Sequence, residues 1–189
     1  MVSANFILPQ FNHSAIRTFK RRETLPPEDS ALWQIETGAV RTFTFTEDAT
    51  MIPLGFWGAD DIVGQLLSRI QPYRIECLTE VKAYRLESGQ FWRIESNQCW
   101  QMNQVMLAHI HQMQELLRIR SGQAPQRLQH LLEWLAYKFG RHTEHGQRIE
   151  LRLTHQDIAE AIGTTRVTVT RLLLQRYRIG LRSFRLLLN

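Results

Sequence analysis

The sequence predicts an α+β chain with three parts: an antiparallel β-sandwich or β-roll, one long helix, and a C-terminal helix-turn-helix. Three observations predict it. Between about residues 19 and 86 the apolar residues come in short runs broken by Gly, Pro and Asp. The run CWQMNQVMLAHIHQMQELLRIRS, residues 99–121, then holds neither Gly nor Pro. In LTHQDIAEAIGTTRVTVTRLLLQRYRIGLRS two short helix-like patterns flank Gly163, and the second half carries arginines but no acidic residue.

At 189 residues with 43% hydrophobic content, the chain can bury one generous domain, or a medium and a small one. Cys77 and Cys99 are too few for a disulfide framework, lack CxxC spacing and fall short of the four thiolates of an iron–sulfur cluster, so both read as buried thiols of a reducing cytoplasm. No apolar run approaches the roughly 20 residues of a membrane span. The start MVSANFILPQ lacks the basic and apolar segments of a signal peptide, which predicts a soluble, cytosolic protein.

The net charge of +5 is unevenly placed. Residues 1–121 carry twelve Lys and Arg against thirteen Asp and Glu, whereas residues 122–189 carry eleven against five. A polyanion is therefore expected at the C-terminal third and not along the whole chain.

The β-rich part contains ALWQIETGAVRTFTF, ATMIPLGFW, DDIVGQLL and YRIECLTEVKAYRLE. Runs of this length, rich in Val, Ile, Phe, Thr and Trp and punctuated by turn residues, predict about six to eight antiparallel strands. SGQFWRIESN predicts a short helix before the long one. Within the long helix Cys99, Met106, Ile110, Met113 and Leu117 fall on a narrow heptad seam with polar residues between them. Such a seam pairs with a copy of itself, while Val105, Ala108, Leu116 and Ile119 offer a second face for packing on the sheets; the alternative is that the seam itself packs on the sheets. GQAPQ, residues 122–126, marks a hinge, followed by a helix RLQHLLEWLAYKFG stopping at Gly140 and, after polar residues, a strand IELRL. The expected units are a β-rich part at 1–96, a dimerisation helix at 97–121 and a helix-turn-helix part at 122–189.

Thr154 with Asp157 three residues on resembles a capping box, although Asp is the weaker choice at its end, and Ile158, Ala159 and Ile162 follow on one apolar face. A helix-turn-helix needs a small residue where its helices cross and a glycine in the turn; Ala159 and Gly163 supply them. Thr165 is placed to cap the second helix, expected over residues 165–174, with Val169, Leu172 and Leu173 facing the first. The opposite face presents Arg166, Val167, Thr168, Thr170 and Arg171. Arginines near the N-terminal end of a short exposed helix suit bidentate pairing with guanine edges, and threonines suit phosphates or thymine. An ordinary helical hairpin with solvated charges is the competing reading.

LTHQDIAEAIGTTRVTVTRLL resembles the helix-turn-helix of the cyclic-AMP receptor protein/fumarate-nitrate regulator superfamily, and is similar above all to cyanobacterial global nitrogen regulators. DSALWQIETGAVRTF and GADDIVGQ fit the β-roll of that superfamily, so the resemblance spans nearly the whole chain. It implies a cyclic-nucleotide-binding-like roll and a homodimeric transcription factor, placed at the nucleoid and working with RNA polymerase. The two recognition helices would enter successive major grooves about 34–36 Å apart on a pseudo-palindrome. The resemblance makes Arg166 and Arg171 the guanine readers. Val167 stands where many relatives carry an acidic residue that accepts from cytosine; an apolar side chain favours a thymine methyl, which predicts half-sites beginning GTA. Expected backbone contacts are Thr154, His155, Thr165, Thr168, Thr170, Arg176, Arg178 and Arg182. The expected dimer interface is Met106, Ile110, Met113 and Leu117.

Two departures from the superfamily stand out. Its nucleotide cassette pairs Gly-Glu with a later arginine, but here Gly64 precedes Gln65, and Gln71 and Pro72 occupy the arginine's region. A buried phosphate would lack its cation, which argues against cyclic AMP. The same region bears on 2-oxoglutarate, for which Arg69 or Arg74 would have to substitute. An effector pocket is placed at Gly64, Gln65, Leu66 and Arg74, its ligand unidentified. His109 and His111 read as surface or core histidines, and no cofactor or metal is expected. The second departure is the C-terminus: IGLRSFRLLLN, with Gly180, Leu181, Phe184 and residues 186–188, makes a cramped wing or a basic tail carrying Arg182 and Arg185. There is no Walker-type loop, HExxH or GxSxG, so no enzyme is expected. The rival function is an effector-sensing or protein-interaction module of the same fold with weak or lost DNA binding.

Overall fold

The computed structural model describes residues 15–26, 31–87, 96–143, 146–178 and 184–188. Seven strands in the N-terminal part of these form two antiparallel sheets. They are β1 (Arg17–Phe19), β2 (Ala31–Thr37), β3 (Val40–Phe45), β4 (Met51–Trp57), β5 (Ile62–Val63), β6 (Arg74–Cys77) and β7 (Val81–Glu87). One sheet runs β1-β7-β2-β5 and the other β4-β3-β6. Phe19, Trp33, Ile35, Val63, Val81 and Ala83 of the first meet Val40, Trp57, Ile75 and Cys77 of the second in one core. This is the expected roll. Its strands lack clean alternation, because Ala31–Ile35 are buried on both faces: Trp33 and Ile35 point into the roll, and Leu32 joins Ile62 and Leu86 in a second cluster.

That second cluster is where the roll meets helix α1 (Ser96–Ile119). Leu66 and Leu67 from a 3₁₀ turn after Gly64, and Met102 and Val105 from α1, pack against it. Gln112, Leu116 and Ile119 continue the buried face of α1, while Met106, Ile110, Met113 and Leu117 are 42–68% exposed. The two faces read from the sequence are thus separate faces of the helix. SGQFWRIESN lies mainly outside the described residues; its Ser96 and Asn97 begin α1.

The C-terminal unit holds α2 (Ala124–Phe139), β8 (Gly140–Thr143), β9 (Gly146–Leu153), α3 (His155–Ile162), α4 (Arg166–Arg178) and β10 (Phe184–Leu188). Helix α2 begins at Ala124, inside the expected hinge, because Pro125 is tolerated in a first turn and Gln126 Oε1 accepts from the Gln123 backbone N–H at 3.0 Å. The polar residues that lead to the expected strand are themselves in strands where they are described, residues 141–143 in β8 and 146–148 at the start of β9, which pair antiparallel. Among the described residues after α4, strand β10 pairs in parallel with β9, giving the sheet order β10-β9-β8. The described part of the expected wing is thus a strand laid beside β9; Gly180, Leu181 and Arg182 lie outside the described residues. Among the described residues no helix is long and apolar enough to cross a membrane.

Roll, α1 and α2 converge on the Lys138 ammonium. It lies 2.8 Å from Asp61 Oδ2 and 3.5 Å from Gln112 Oε1, over the rings of Trp57, Trp134 and Phe139 at 5.2, 5.9 and 5.9 Å. His109 stacks on Trp57 with centroids 4.2 Å apart, and its Nε2 lies 2.9 Å from the Ile62 carbonyl, so the proton sits on Nε2. Burial holds the His109 imidazole below its ordinary pKa against the raising effect of Ile62 and Asp61, with Lys138 adding to the lowering. The unfolded chain then binds the proton more readily than the folded one. Stability should be full above the ordinary histidine value of about 6.5 and fall as the pH drops below it. Melting temperatures compared between about pH 7.5 and about pH 5.5 should decrease, and His109→Gln should flatten that dependence.

Candidate nucleic-acid interface

Helix α3 starts at Thr154, whose Oγ1 accepts from the Asp157 backbone N–H at 3.1 Å while Asp157 Oδ2 accepts from the Thr154 N–H at 2.7 Å. The box read from the sequence is complete. The helix ends at Gly163 in the left-handed region, φ 65°, which an L side chain resists, and Thr164 N–H closes the turn on the Ala159 carbonyl at 2.9 Å. Ala159 is buried where the helices cross, against a core that includes Val169 and Leu173, with Leu172 packed beside it. Thr165 Oγ1 accepts from the Thr168 N–H at 3.2 Å and so caps α4.

Capping and packing turn one face of α4 outward. Arg166, Val167, Thr170, Arg171, Leu174 and Gln175 line a single open recess along the helix, with Val167 77% exposed. Three of these are the sequence-predicted readers. Leu174 and Gln175 carry no motif that marks them in the sequence, although Leu174 lies seven residues after Val167 and Gln175 four after Arg171, spacings that keep them beside those residues at helical period. Arg176 and Arg178 fall on the last turn of α4.

His155 Nδ1 lies 2.7 Å from Thr170 Oγ1, which itself donates to the Arg166 carbonyl at 3.0 Å. Since a threonine has one hydroxyl proton, His155 Nδ1 is the donor in this chain, and its Nε2 is left over for a further partner. Thr165, Thr168 and Thr170 therefore already hold one another or the helix in place, and their side chains anchor the reading face as well as bordering it.

Four arginines from other elements hold α3. At its N-terminal end Arg22 donates from both Nη atoms to Asp157, at 3.1 and 2.7 Å, and Arg41 Nη1 lies 3.0 Å from Asp157 and 2.9 Å from Glu160. Glu76 on β6 joins both arginines, at 3.2 and 2.5 Å. At the C-terminal end Arg120 donates to the Glu160 and Ala161 carbonyls, both at 3.3 Å, and Arg127 to the Ile162 and Gly163 carbonyls at 3.0 and 3.1 Å. The carbonyls that a helix C-terminus leaves unpaired are thereby satisfied by cations, as its dipole favours. Burial, with Arg127 close by, lowers the Arg120 pKa.

The residues placed at an effector pocket do not converge in this way. Leu66 packs into the roll–α1 cluster, and Gln65 turns its amide back on the Ser68 and Ile70 carbonyls at 3.0 and 3.2 Å. Gly64 lies against β2, where an added Cβ would come within 2.7 Å of Leu32 Cδ2 and 3.0 Å of the Ala31 carbonyl. Arg74 is exposed at the start of β6, in the other sheet. Tyr73 beside it is buried, its hydroxyl pushed up to about 12 by burial.

Burial raises the Asp157 pKa, but Arg22, the Thr154 backbone N–H and Arg41 together outweigh it and hold the carboxyl below its ordinary value. Stability from this group is full above the unfolded value of about 3.9 and is lost as the pH falls through the folded one. Asp157→Asn, which keeps an oxygen for the cap but no charge, should lower the denaturant midpoint at neutral pH. It should also lose less further stability than the native chain on acidification below about pH 4.

A family model described as a Crp-like helix-turn-helix domain matches residues 126–183. The regulatory protein CysR of Synechococcus elongatus is 38% identical over 157 residues, which span 81% of this chain and 72% of CysR. A global nitrogen regulator of Synechocystis sp. is 60% identical over 47 residues, 25% of this chain and 21% of its own. Among solved structures, a CRP-family transcriptional regulator of Thermus thermophilus has the same fold, with a TM-score of 0.73 at 22% identity over 87% of this chain and 86% of that one.

Proposed function

The chain belongs to the Crp/Fnr family of transcriptional regulators, and from that premise we propose that it reads a pseudo-palindromic promoter site as a homodimer, one α4 in each of two successive major grooves. Regulators of this family bind DNA and act as dimers. The observation that carries the finer reading is the outward face of α4, where Arg166, Val167 and Arg171 stand exposed beside a capped N-terminal turn. Arg166 and Arg171 take guanine edges, and Val167 takes a thymine methyl, giving GTA-type half-sites. Thr154, His155, Thr165, Thr168, Thr170, Arg176, Arg178 and Arg182 contact the backbone and position the helix.

The dimer forms through Met106, Ile110, Met113 and Leu117, a stripe that neither the roll nor α2 covers. RNA polymerase is the expected further partner, at the nucleoid in the cytoplasm. The self-closed Gln65 and the exposed Arg74 support the reading that cyclic AMP is not the effector.

In gel-shift titrations the protein should prefer duplexes with GTA half-sites over GTGA-type ones; the reverse preference overturns the role given to Val167. Arg166→Ala should weaken specific binding by roughly 1–3 kcal/mol and relax discrimination at one base pair. No binding to any such duplex at low salt would favour the reading of a module that has lost DNA binding. Met113→Glu places a charge in the centre of the α1 seam and should shift the protein to monomers in analytical ultracentrifugation, with DNA affinity falling in parallel.

A further inference from the structure

The ion pairs at the N-terminal end of α3 cross the boundary between the roll and the reading unit, joining residues 135 and 119 positions apart in sequence. Arg41 and Asp157 are buried where they cross, 6% and 3% exposed, Glu76 and Glu160 are partly buried, and Arg22 closes the cluster from the outside at 36% exposed. Both Asp157 and Glu160 face the roll, on the helix against which α4 packs. Asp157 also closes the capping box, so the group that the roll holds is the group that starts the helix.

We propose that Arg22 and Arg41 are positioning residues for DNA reading, fixing through Asp157 and Glu160 the direction in which α4 presents Arg166, Val167 and Arg171. This rests on the reading of α4 as the recognition helix. The arginines touch no base and no phosphate. They act as a latch: with the carboxylates held, α3 and α4 move with the roll, and hence with α1 and the dimer axis, as one body. A bidentate guanidinium fixes both distance and plane, which an ammonium cannot do, so the latch specifies an angle as well as an attraction. Two recognition helices must enter grooves at a set spacing, and a reading unit free to swing about the residues joining α1 and α2 would meet that requirement only part of the time.

The test uses the full chain with Arg22→Gln and Arg41→Gln together, Arg41→Lys alone, and a duplex carrying two GTA half-sites beside a scrambled duplex of equal length. The double variant should lose about tenfold or more in affinity for the specific duplex. Its affinity for the scrambled duplex and its salt slope should stay unchanged, and Arg41→Lys should fall between. Unaltered specific affinity overturns the proposal. So does an equal loss on both duplexes with a flatter salt dependence, because that is the signature of direct phosphate contact. Small-angle scattering without DNA supplies an independent arm: the native chain should give one narrow distribution of dimensions and the double variant a broader one. If the native chain binds neither duplex, the DNA reading fails while scattering still decides the latch. If the double variant does not fold, Arg41→Lys carries both measurements.

Discussion

Helix α4 packs on α3, an eight-residue helix held at both ends by arginines from elsewhere in the chain, and the docking of α3 is the constraint on which the proposed reading face depends. An isolated helix of that length is unstable in water, so its order must come from caps and packing. Its starting N–H groups are taken by Thr154 and Asp157, its final carbonyls by Arg120 and Arg127, and its carboxylates by Arg22 and Arg41. Burying charge is unfavourable on its own. Here two arginines and three carboxylates share it, and each member has at least one opposite charge within 3.2 Å. Removing one partner of such a pair, Arg41 above all, costs about 3–5 kcal/mol because the others stay buried without it. The network is thus weak evidence for overall stability and strong evidence for one particular docking of α3.

A second junction does for α1 what the arginines do for α3. Lys138 reaches from α2 between Asp61 of the roll and Gln112 of α1, under the rings of Trp57, Trp134 and Phe139. The face of α1 that carries Gln112 is used up there, which leaves Met106, Ile110, Met113 and Leu117 pointing outward. The inward register of α1 therefore dictates its outward register, since the two faces are parts of one rigid helix. The arginine grip on the end of α3 and the aromatic cage on Lys138 both connect to α1, the first through Arg120, the residue that follows it, and the second through Gln112 and His109 within it.

What the sequence makes legible is local. The Thr154 box, the left-handed Gly163, the Thr165 cap, the buried Ala159 and the two faces of α1 all follow from residue type at fixed spacing, and the structure places them as expected. What stays hidden depends on partners far away in the chain. Asp157 is a poor choice by local rules because a capping box favours Glu or Gln; its reason is Arg22, 135 positions earlier, which needs the same carboxylate. Strand β8 is illegible because RHTEHGQR is polar, yet pairing with β9 decides it. The C-terminal wing becomes a strand parallel to β9 for the same reason: β10 can be recognised only with its partner in view. The effector residues illustrate the limit differently. Gly64, Gln65, Leu66 and Arg74 are near one another in sequence, and the structure disperses them between core, turn and surface.

The charge arithmetic also changes once the fold is known. By composition the C-terminal unit holds eleven basic against five acidic residues, which already favours a polyanion. Two of those five, Asp157 and Glu160, lie on the helix next to α4, where bare carboxylates would repel a phosphate backbone. They are turned to the roll and paired with Arg22 and Arg41, basic residues that composition assigns to the nearly neutral N-terminal part and that Glu76 shares, so that the cluster of two arginines and three carboxylates keeps a single net negative charge. A third, Glu150, pairs with Arg141. The fixed charge around α3 is thus less negative than the local count suggests, since cations are supplied across the boundary between units. Arg127 moves the other way, committed to the carbonyls at the end of α3 and subtracted from the surface. Among the described side chains of α4 the fold leaves Arg166 and Arg171 exposed beside one recess, which is the arrangement that the proposed reading of DNA by this helix requires.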